Sequence, residues 1–178
     1  MNNDISTVLF DEAALLLRVR ELGAEISRDY EGKRPVLISI LRGGVVFLAD
    51  LMRAITVPLE IDFMSISSYG DSTKSTGVVR IRKDIDIDLA GRHVLVVEDI
   101  VDSGLSLAYI RNYLAGHNPA SMRICAMFDK PAAHKTDVVI DYIGFNIGNE
   151  FVVGYGLDYA ETYRNLPFLG VLKEEVYR

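Results

Sequence analysis

Cysteine is nearly absent. Cys125 is the single one in 178 residues, which excludes an internal disulfide and a cysteine-built zinc cage and fits a reducing compartment. Basic charge is also scarce: 19 Lys and Arg stand against 25 Asp and Glu, for a net charge of -6. That is a poor background for non-specific nucleic-acid binding. No apolar run approaches the ~20 residues that a membrane-spanning helix needs. The opening MNNDISTVLFDEAALLLRVR has no basic segment followed by an apolar stretch, so no secretory signal is expected. Neither Gly-x-x-x-x-Gly-Lys-Ser/Thr nor Gly-x-Gly-x-x-Gly occurs, which sets aside a Walker loop and a Rossmann fingerprint. His93, His117 and His134 are scattered without metal-ligand spacing, and no repeat, low-complexity tract or linker divides the chain. The expectation is one cytoplasmic domain over 1–178.

What is present is an ordinary globular composition, 49% apolar and 25% charged. A chain this long buries roughly 70% of its unfolded surface, enough for a core without staples. Leu15, Val19, Leu22 and Ile26 recur at helical spacing behind Asp11, a suitable N-cap. Val36 to Ile40 reads as a short buried strand, and Val45, Leu48, Leu51, Met52 and Ile55 as the apolar face of a second helix. Leu59 to Ile66 alternates as a strand, a polar glycine-bounded stretch follows over about 67–77, and Val78 to Ile81 returns as a strand. Val94 to Val97 is apolar on both faces, as at the centre of a parallel sheet. Leu105 to Leu114 is helical and Arg123 to Phe128 is another strand. Strands alternating with helices predict an α/β fold with a mainly parallel sheet flanked by helices. Ligands of such sheets bind beyond the carboxyl ends of the strands.

The residues just past those ends carry the chemistry. Val97 runs into Glu98 and Asp99, then Asp102, then Ser103-Gly104-Leu105-Ser106 at a helix start. Free N–H groups and the helix dipole favour an anion there, and a glycine lets the backbone approach it. A phosphate monoester suits such a cradle. The acids beside it need donors or a cation, which ribose hydroxyls and Mg²⁺ supply. Taken singly, Asp102 and Ser103 read as a helix cap and Glu98 and Asp99 as solvated strand-end acids. Their concentration after one apolar strand favours a site.

This run, Val96 to Ser106, resembles the phosphoribosyl-pyrophosphate signature of type I phosphoribosyltransferases. Its acidic version is similar to the 6-oxopurine branch of that family. Leu41-Arg42-Gly43-Gly44 resembles the family's pyrophosphate loop, Ser68-Tyr69-Gly70 its mobile catalytic loop, and Asp129-Lys130-Pro131 its purine-contacting segment. Phe151 to Tyr159, followed by Arg164, resembles its C-terminal base and pyrophosphate site. The resemblance implies the type I fold, with a small hood formed by the chain termini and a base-binding part over about 130–178.

The implied activity is transfer of 5-phosphoribosyl from phosphoribosyl pyrophosphate to hypoxanthine or guanine, giving IMP or GMP and pyrophosphate. Asp102 is then the general base near purine N7, and Glu98 and Asp99 hold the ribose hydroxyls. Ser103, Gly104, Leu105 and Ser106 cradle the 5-phosphate; Leu105 stands where some relatives have lysine. A non-proline cis peptide is implied at Leu41-Arg42, with Arg42 and Gly43 facing pyrophosphate. Ser68 and Tyr69 close over the reacting centre. Lys130 donates to the 6-oxo group, with Asp129 as a rival partner for it. Phe151 stacks on the base, the backbone of Val152 bonds its edge, and Arg164 contacts pyrophosphate. Mg²⁺ is the implied cofactor, with Asp158, Glu98 and Asp99 as its carboxylates and substrate oxygens as its main ligands. A homodimer or homotetramer is implied, since relatives assemble so. A xanthine-preferring transferase is the neighbouring alternative. A regulator that senses the same donor while binding nucleic acid is a different class, disfavoured by the acidic charge.

Overall fold

A computed structural model of the chain describes residues 1–68 and 79–178. In chain order the elements are β1 (Ile5–Phe10), α1 (Glu12–Asp29), β2 (Val36–Leu41), α2 (Val45–Ala54), β3 (Glu60–Ser68) and β4 (Val79–Lys83). There follow β5 (His93–Val101), α3 (Leu105–Ala115), β6 (Ser121–Asp129), β7 (Tyr142–Asn146), β8 (Val152–Val153), β9 (Leu169–Leu172) and α4 (Glu174–Tyr177). Asp11 caps α1 as its side chain accepts from the Ala14 N–H at 2.8 Å, worth about 1 kcal/mol.

The larger sheet has six strands in the order β4-β3-β2-β5-β6-β7. All its pairings are parallel except β3 with β4. The mostly parallel α/β architecture expected from the alternating pattern is the one observed. Side chains alternate across the pleat. Leu37, Leu95, Val97 and Met127 face Leu15, Val19, Leu22 and Ile26 of α1 and Phe47, Leu48 and Leu51 of α2. Val36, Ile38, Val94, Val96 and Ile124 face Leu107, Ile110 and Leu114 of α3. Each such side chain taken from water contributes roughly 1.5–3 kcal/mol. Among the described residues no helix is long and apolar enough to cross a membrane.

A three-stranded sheet, β1-β9-β8, joins the two ends of the chain, the hood of the expected fold. β7, which lies within the 130–178 stretch assigned to that part, belongs instead to the larger sheet, pairing Cys125 with Tyr142 and Asp129 with Asn146.

Three local readings change. Val45 is 43% exposed whereas Phe47 is fully buried, because Val45 opens α2 beside the turn and its first residue does not reach the sheet. Ser67 and Ser68, read as the start of the polar loop, continue β3 against Arg80 and Val79 of β4. Strand β5 continues past Val97 through both acids to Val101, held by its register with β6 from Glu98↔Ala126 to Val101↔Asp129.

The order also places the site. From β2 the chain moves outward to β3, and from the adjacent β5 it moves the other way to β6. The carboxyl ends of β2 and β5 therefore flank a topological switch point, where open α/β sheets bind ligands.

Candidate active site

At the end of β5 the chain turns through Asp102 and Ser103 into α3. Gly104, the residue before that helix, has φ +76, and a Cβ there would come within 2.7 Å of Val138 Cγ2. Left-handed backbone and close packing both call for glycine. A cavity of about 240 Å³ lies over this turn, lined by Glu98, Asp102, Ser103, Gly104, Ser106 and apolar neighbours that include Ile40 and Ile66. Leu105 is 43% exposed and does not line it. The Lys135 N–H donates to the Ser103 carbonyl at 2.9 Å, so the segment after β6 supports the turn from behind.

A second cavity, of about 350 Å³, shares Ile100 and Asp102 with the first. Its walls include Arg42, Gly43, Asp99, Lys130, Phe151, Val152, Asp158 and Arg164. Residues from four separated parts of the sequence meet here. The peptide Leu41-Arg42 is cis, as expected. Leu41 itself ends β2 and is not in the wall. A Cβ on Gly43 would overlap Asp99 Oδ2, so the loop after β2 rides directly over the acid of β5. Phe151 is 37% exposed and stacks on Tyr177 at 4.7 Å between ring centroids, while Val152 is buried in β8.

The electrostatics are unusual for so many acids. Burial, and secondarily the neighbouring Asp99, push the Glu98 carboxyl well above its usual range. Burial likewise raises Asp99 to about 6, opposed by the Ile100 N–H at 2.7 Å and by Arg164. Raised carboxyls at adjacent positions of β5, one at each cavity, favour a ligand bringing donors or positive charge. Lys130 is 7% exposed, and its Nζ donates to the Glu150 carbonyl at 3.0 Å and to Asp102 Oδ2 at 3.4 Å. The rival partner Asp129 is instead bonded to His134 Nε2 at 2.7 Å, so the Lys130–Asp129 pairing does not form. Sequence reasoning left His134 without a partner.

Arg164 donates to Asp158 at 2.8 Å and to the Gly156 carbonyl at 2.9 Å. The other Asp158 oxygen accepts from the Glu161 N–H. Among the described residues no three Asp, Glu, His or Cys side chains form a metal cage. Asp99 and Asp158 line the same cavity beside Arg164, while Glu98, one residue earlier on β5, lines the other. Tyr69 lies outside the described residues, and Ser68 is placed at the end of β3. Cys125 is fully buried mid-strand, and burial pushes its thiol up, away from nucleophilic use.

A family model for the phosphoribosyl transferase domain matches residues 7–160. The chain belongs to the phosphoribosyltransferase family. It is 47% identical over 177 residues to a hypoxanthine-guanine phosphoribosyltransferase of Streptococcus agalactiae, covering 99% of this chain and 98% of that one. A crystal structure of a hypoxanthine phosphoribosyltransferase from Staphylococcus aureus is similar with a TM-score of 0.97 at 44% identity, covering 100% of this chain and 97% of that chain. One from Bacillus anthracis, a hypoxanthine-guanine phosphoribosyltransferase, gives 0.91 at 46% identity, over 95% of this chain and 99% of that chain.

Sequence reasoning missed several residues that touch the predicted ones at these cavities. Glu161 joins Arg42 at 2.6 Å to Arg164 at 3.4 Å. Glu150 contributes a backbone carbonyl to Lys130, and Val138 packs against Gly104. None sits in a signature run, and each acts through a contact distant in sequence. No local signal marks them.

Proposed function

We infer that this protein is a purine salvage enzyme that transfers the 5-phosphoribosyl group from phosphoribosyl pyrophosphate to N9 of hypoxanthine or guanine. The products are IMP or GMP and pyrophosphate. The observation that carries this reading is the Lys130–Asp102 pair, 3.4 Å apart at the junction of the two cavities. A cationic donor beside a carboxylate acceptor matches the adjacent O6 acceptor and N7–H donor of a 6-oxopurine. Adenine offers an amino group where Lys130 needs an acceptor, and a buried donor left unpaired costs ~1–3 kcal/mol.

The cradle at Ser103–Ser106 takes the 5-phosphate on backbone N–H groups and hydroxyls. Glu98 and Asp99 receive the ribose hydroxyls, whose O–H groups donate to these carboxylates. Arg42, Gly43 and Arg164 face the pyrophosphate. Phe151 presents an aromatic wall to the base and Val152 its backbone. As N9 attacks C1 and pyrophosphate leaves, Asp102 accepts the proton at N7. Ser68 and Tyr69 belong to the segment that closes over the reacting carbon and excludes water.

The donor set also suits Mg²⁺, which prefers hard oxygens and is commonly held by one or two carboxylates plus substrate phosphates. Glu98 and Asp99 are the residues that would hold it, with Asp158 nearer the pyrophosphate end. When bound, it neutralises charge building on the leaving pyrophosphate.

The test is pyrophosphate release with hypoxanthine, guanine and xanthine in turn, with and without Mg²⁺. Release with the first two that depends on Mg²⁺ is expected. Release with xanthine alone would move the protein to the xanthine-preferring group, and no purine-dependent release would overturn the reading.

A further inference from the structure

The segment after Asp158 has an unusual backbone. Ala160 and Glu161 have φ +48 and +63, in the left-handed region that non-glycine residues seldom occupy. The turn is closed by the Tyr159–Thr162 bridge and by the Glu161 N–H donating to Asp158 Oδ2 at 3.0 Å. Its effect is to bring one exposed carboxylate between two cations. Glu161 Oε2 accepts from Arg42 Nη1 at 2.6 Å and from Arg164 Nη2 at 3.4 Å. These are the guanidiniums that the transferase reading assigns to pyrophosphate. Arg164 also has a buried Nε with no hydrogen-bond partner among the described residues, a donor left over for an acceptor that the protein does not itself supply.

We propose that Glu161 is a positioning residue that occupies the place of a pyrophosphate oxygen between Arg42 and Arg164, competes with pyrophosphate for both, and so sets how readily that product leaves. The inference rests on the transferase reading above. Its logic is charge balance. Arg42 and Arg164 carry two positive charges, and Asp158 and Glu161 carry two negative ones. The four together offer an arriving anion no net attraction until Glu161 yields. Glu161 is the member free to yield, being 62% exposed and held by Arg42, itself 68% exposed. Asp158 is only 28% exposed and lies closer to Arg164. On product release the same carboxylate recaptures the guanidiniums and displaces pyrophosphate by exchange of one anion for another. The fixed turn keeps it near enough to do so.

The test is calorimetric titration of inorganic pyrophosphate, with Mg²⁺, into the wild-type protein and Glu161→Gln. Glutamine keeps the shape and removes the charge. The variant is expected to bind about threefold tighter at low salt, the scale of an exposed ion pair. That gain should shrink as ionic strength rises. Product inhibition by pyrophosphate should strengthen in step, with the purine KM unmoved, a split that general structural damage would not give. On an Arg42→Gln background the effect of Glu161→Gln should diminish, since one of its two partners is gone. Glu161→Asp, which draws the charge back, should fall between wild type and Gln and serves if Gln fails to fold. A folded Gln variant that binds pyrophosphate no tighter than wild type overturns the inference alone. A wild type with no affinity for pyrophosphate or the phosphoribosyl donor overturns the transferase reading and this inference with it.

Discussion

Replacing Lys130 by alanine tests the purine half of the site directly. A charged hydrogen bond to a carbonyl is worth ~1.5–3 kcal/mol when its partner is lost. Taken alone, that corresponds to a KM increase of roughly ten- to more than a hundredfold. The bonds that Lys130 makes within the protein point to the lower end. Lys130 Nζ already donates to the Glu150 carbonyl at 3.0 Å and to Asp102 at 3.4 Å, so part of the bond to the base replaces bonds given up. The expected KM increase for hypoxanthine and guanine is therefore about tenfold, or ~1.4 kcal/mol. Asp102 loses its cation in this variant, but its side chain is 61% exposed, so water takes the vacated position. Initial rates of pyrophosphate release, with the purine varied at saturating donor, give the KM. Adenine should improve relative to hypoxanthine, because the donor proposed to disfavour the 6-amino group is gone. The donor KM should stay near wild type. A hypoxanthine KM equal to wild type would take Lys130 out of purine binding, since Asp129 is occupied by His134 and offers it no alternative role.

Other perturbations separate the remaining parts. Asp102→Asn keeps the shape but removes the proposed proton acceptor, so turnover should fall by about 10²–10⁴-fold while substrate KM values move much less; steady-state kinetics showing unchanged turnover would remove its role. Gly104→Ala forces a side chain onto φ +76 and within 2.7 Å of Val138 Cγ2, which costs ~1–3 kcal/mol for the backbone alone. Thermal melts and the donor KM should both worsen, and an unaffected pair of values counts against the tight cradle. Asp62, away from the site, is buried and accepts N–H bonds from Phe63 and Asp86 at 2.7 Å and from Ile87 at 3.0 Å. Burial by itself would raise its carboxyl, but those N–H groups, with Lys83, outweigh it and hold it below the ordinary 3.8. Asp62→Asn should cost about 2 kcal/mol in urea unfolding at neutral pH. Because the folded value lies below the unfolded one, that contribution is present above 3.8 and lost as pH falls through the folded value. A gap between wild type and variant that held constant into strong acid would contradict the assignment.

The transferase reading stands mostly on features that are local in the chain. Leu15, Val19, Leu22 and Ile26 declare a helix because an amphipathic period is written in a single segment, and Val94 to Val97 declares a central strand because both faces are apolar. The run from Glu98 to Ser106 shows its chemistry for the same reason: strand, acids, turn glycine and helix start are consecutive. Burial at an element's end is less local. Val45 and Phe47 exchange roles because the approach of α2 to the sheet, and not its period alone, decides which side chain is covered.

What the amino-acid order determined by itself is thus the set of elements, their alternation and the acid-rich turn, since each depends on neighbours a few bonds away. Tertiary structure decided the rest. It carried β5 through its acids by pairing with β6, chose Asp102 over Asp129 as the partner of Lys130, and brought Glu161 to Arg42 across 119 positions of chain. Those outcomes depend on which strands lie side by side and how far a side chain reaches across the gap between them. Neither quantity is stored in any one stretch of sequence.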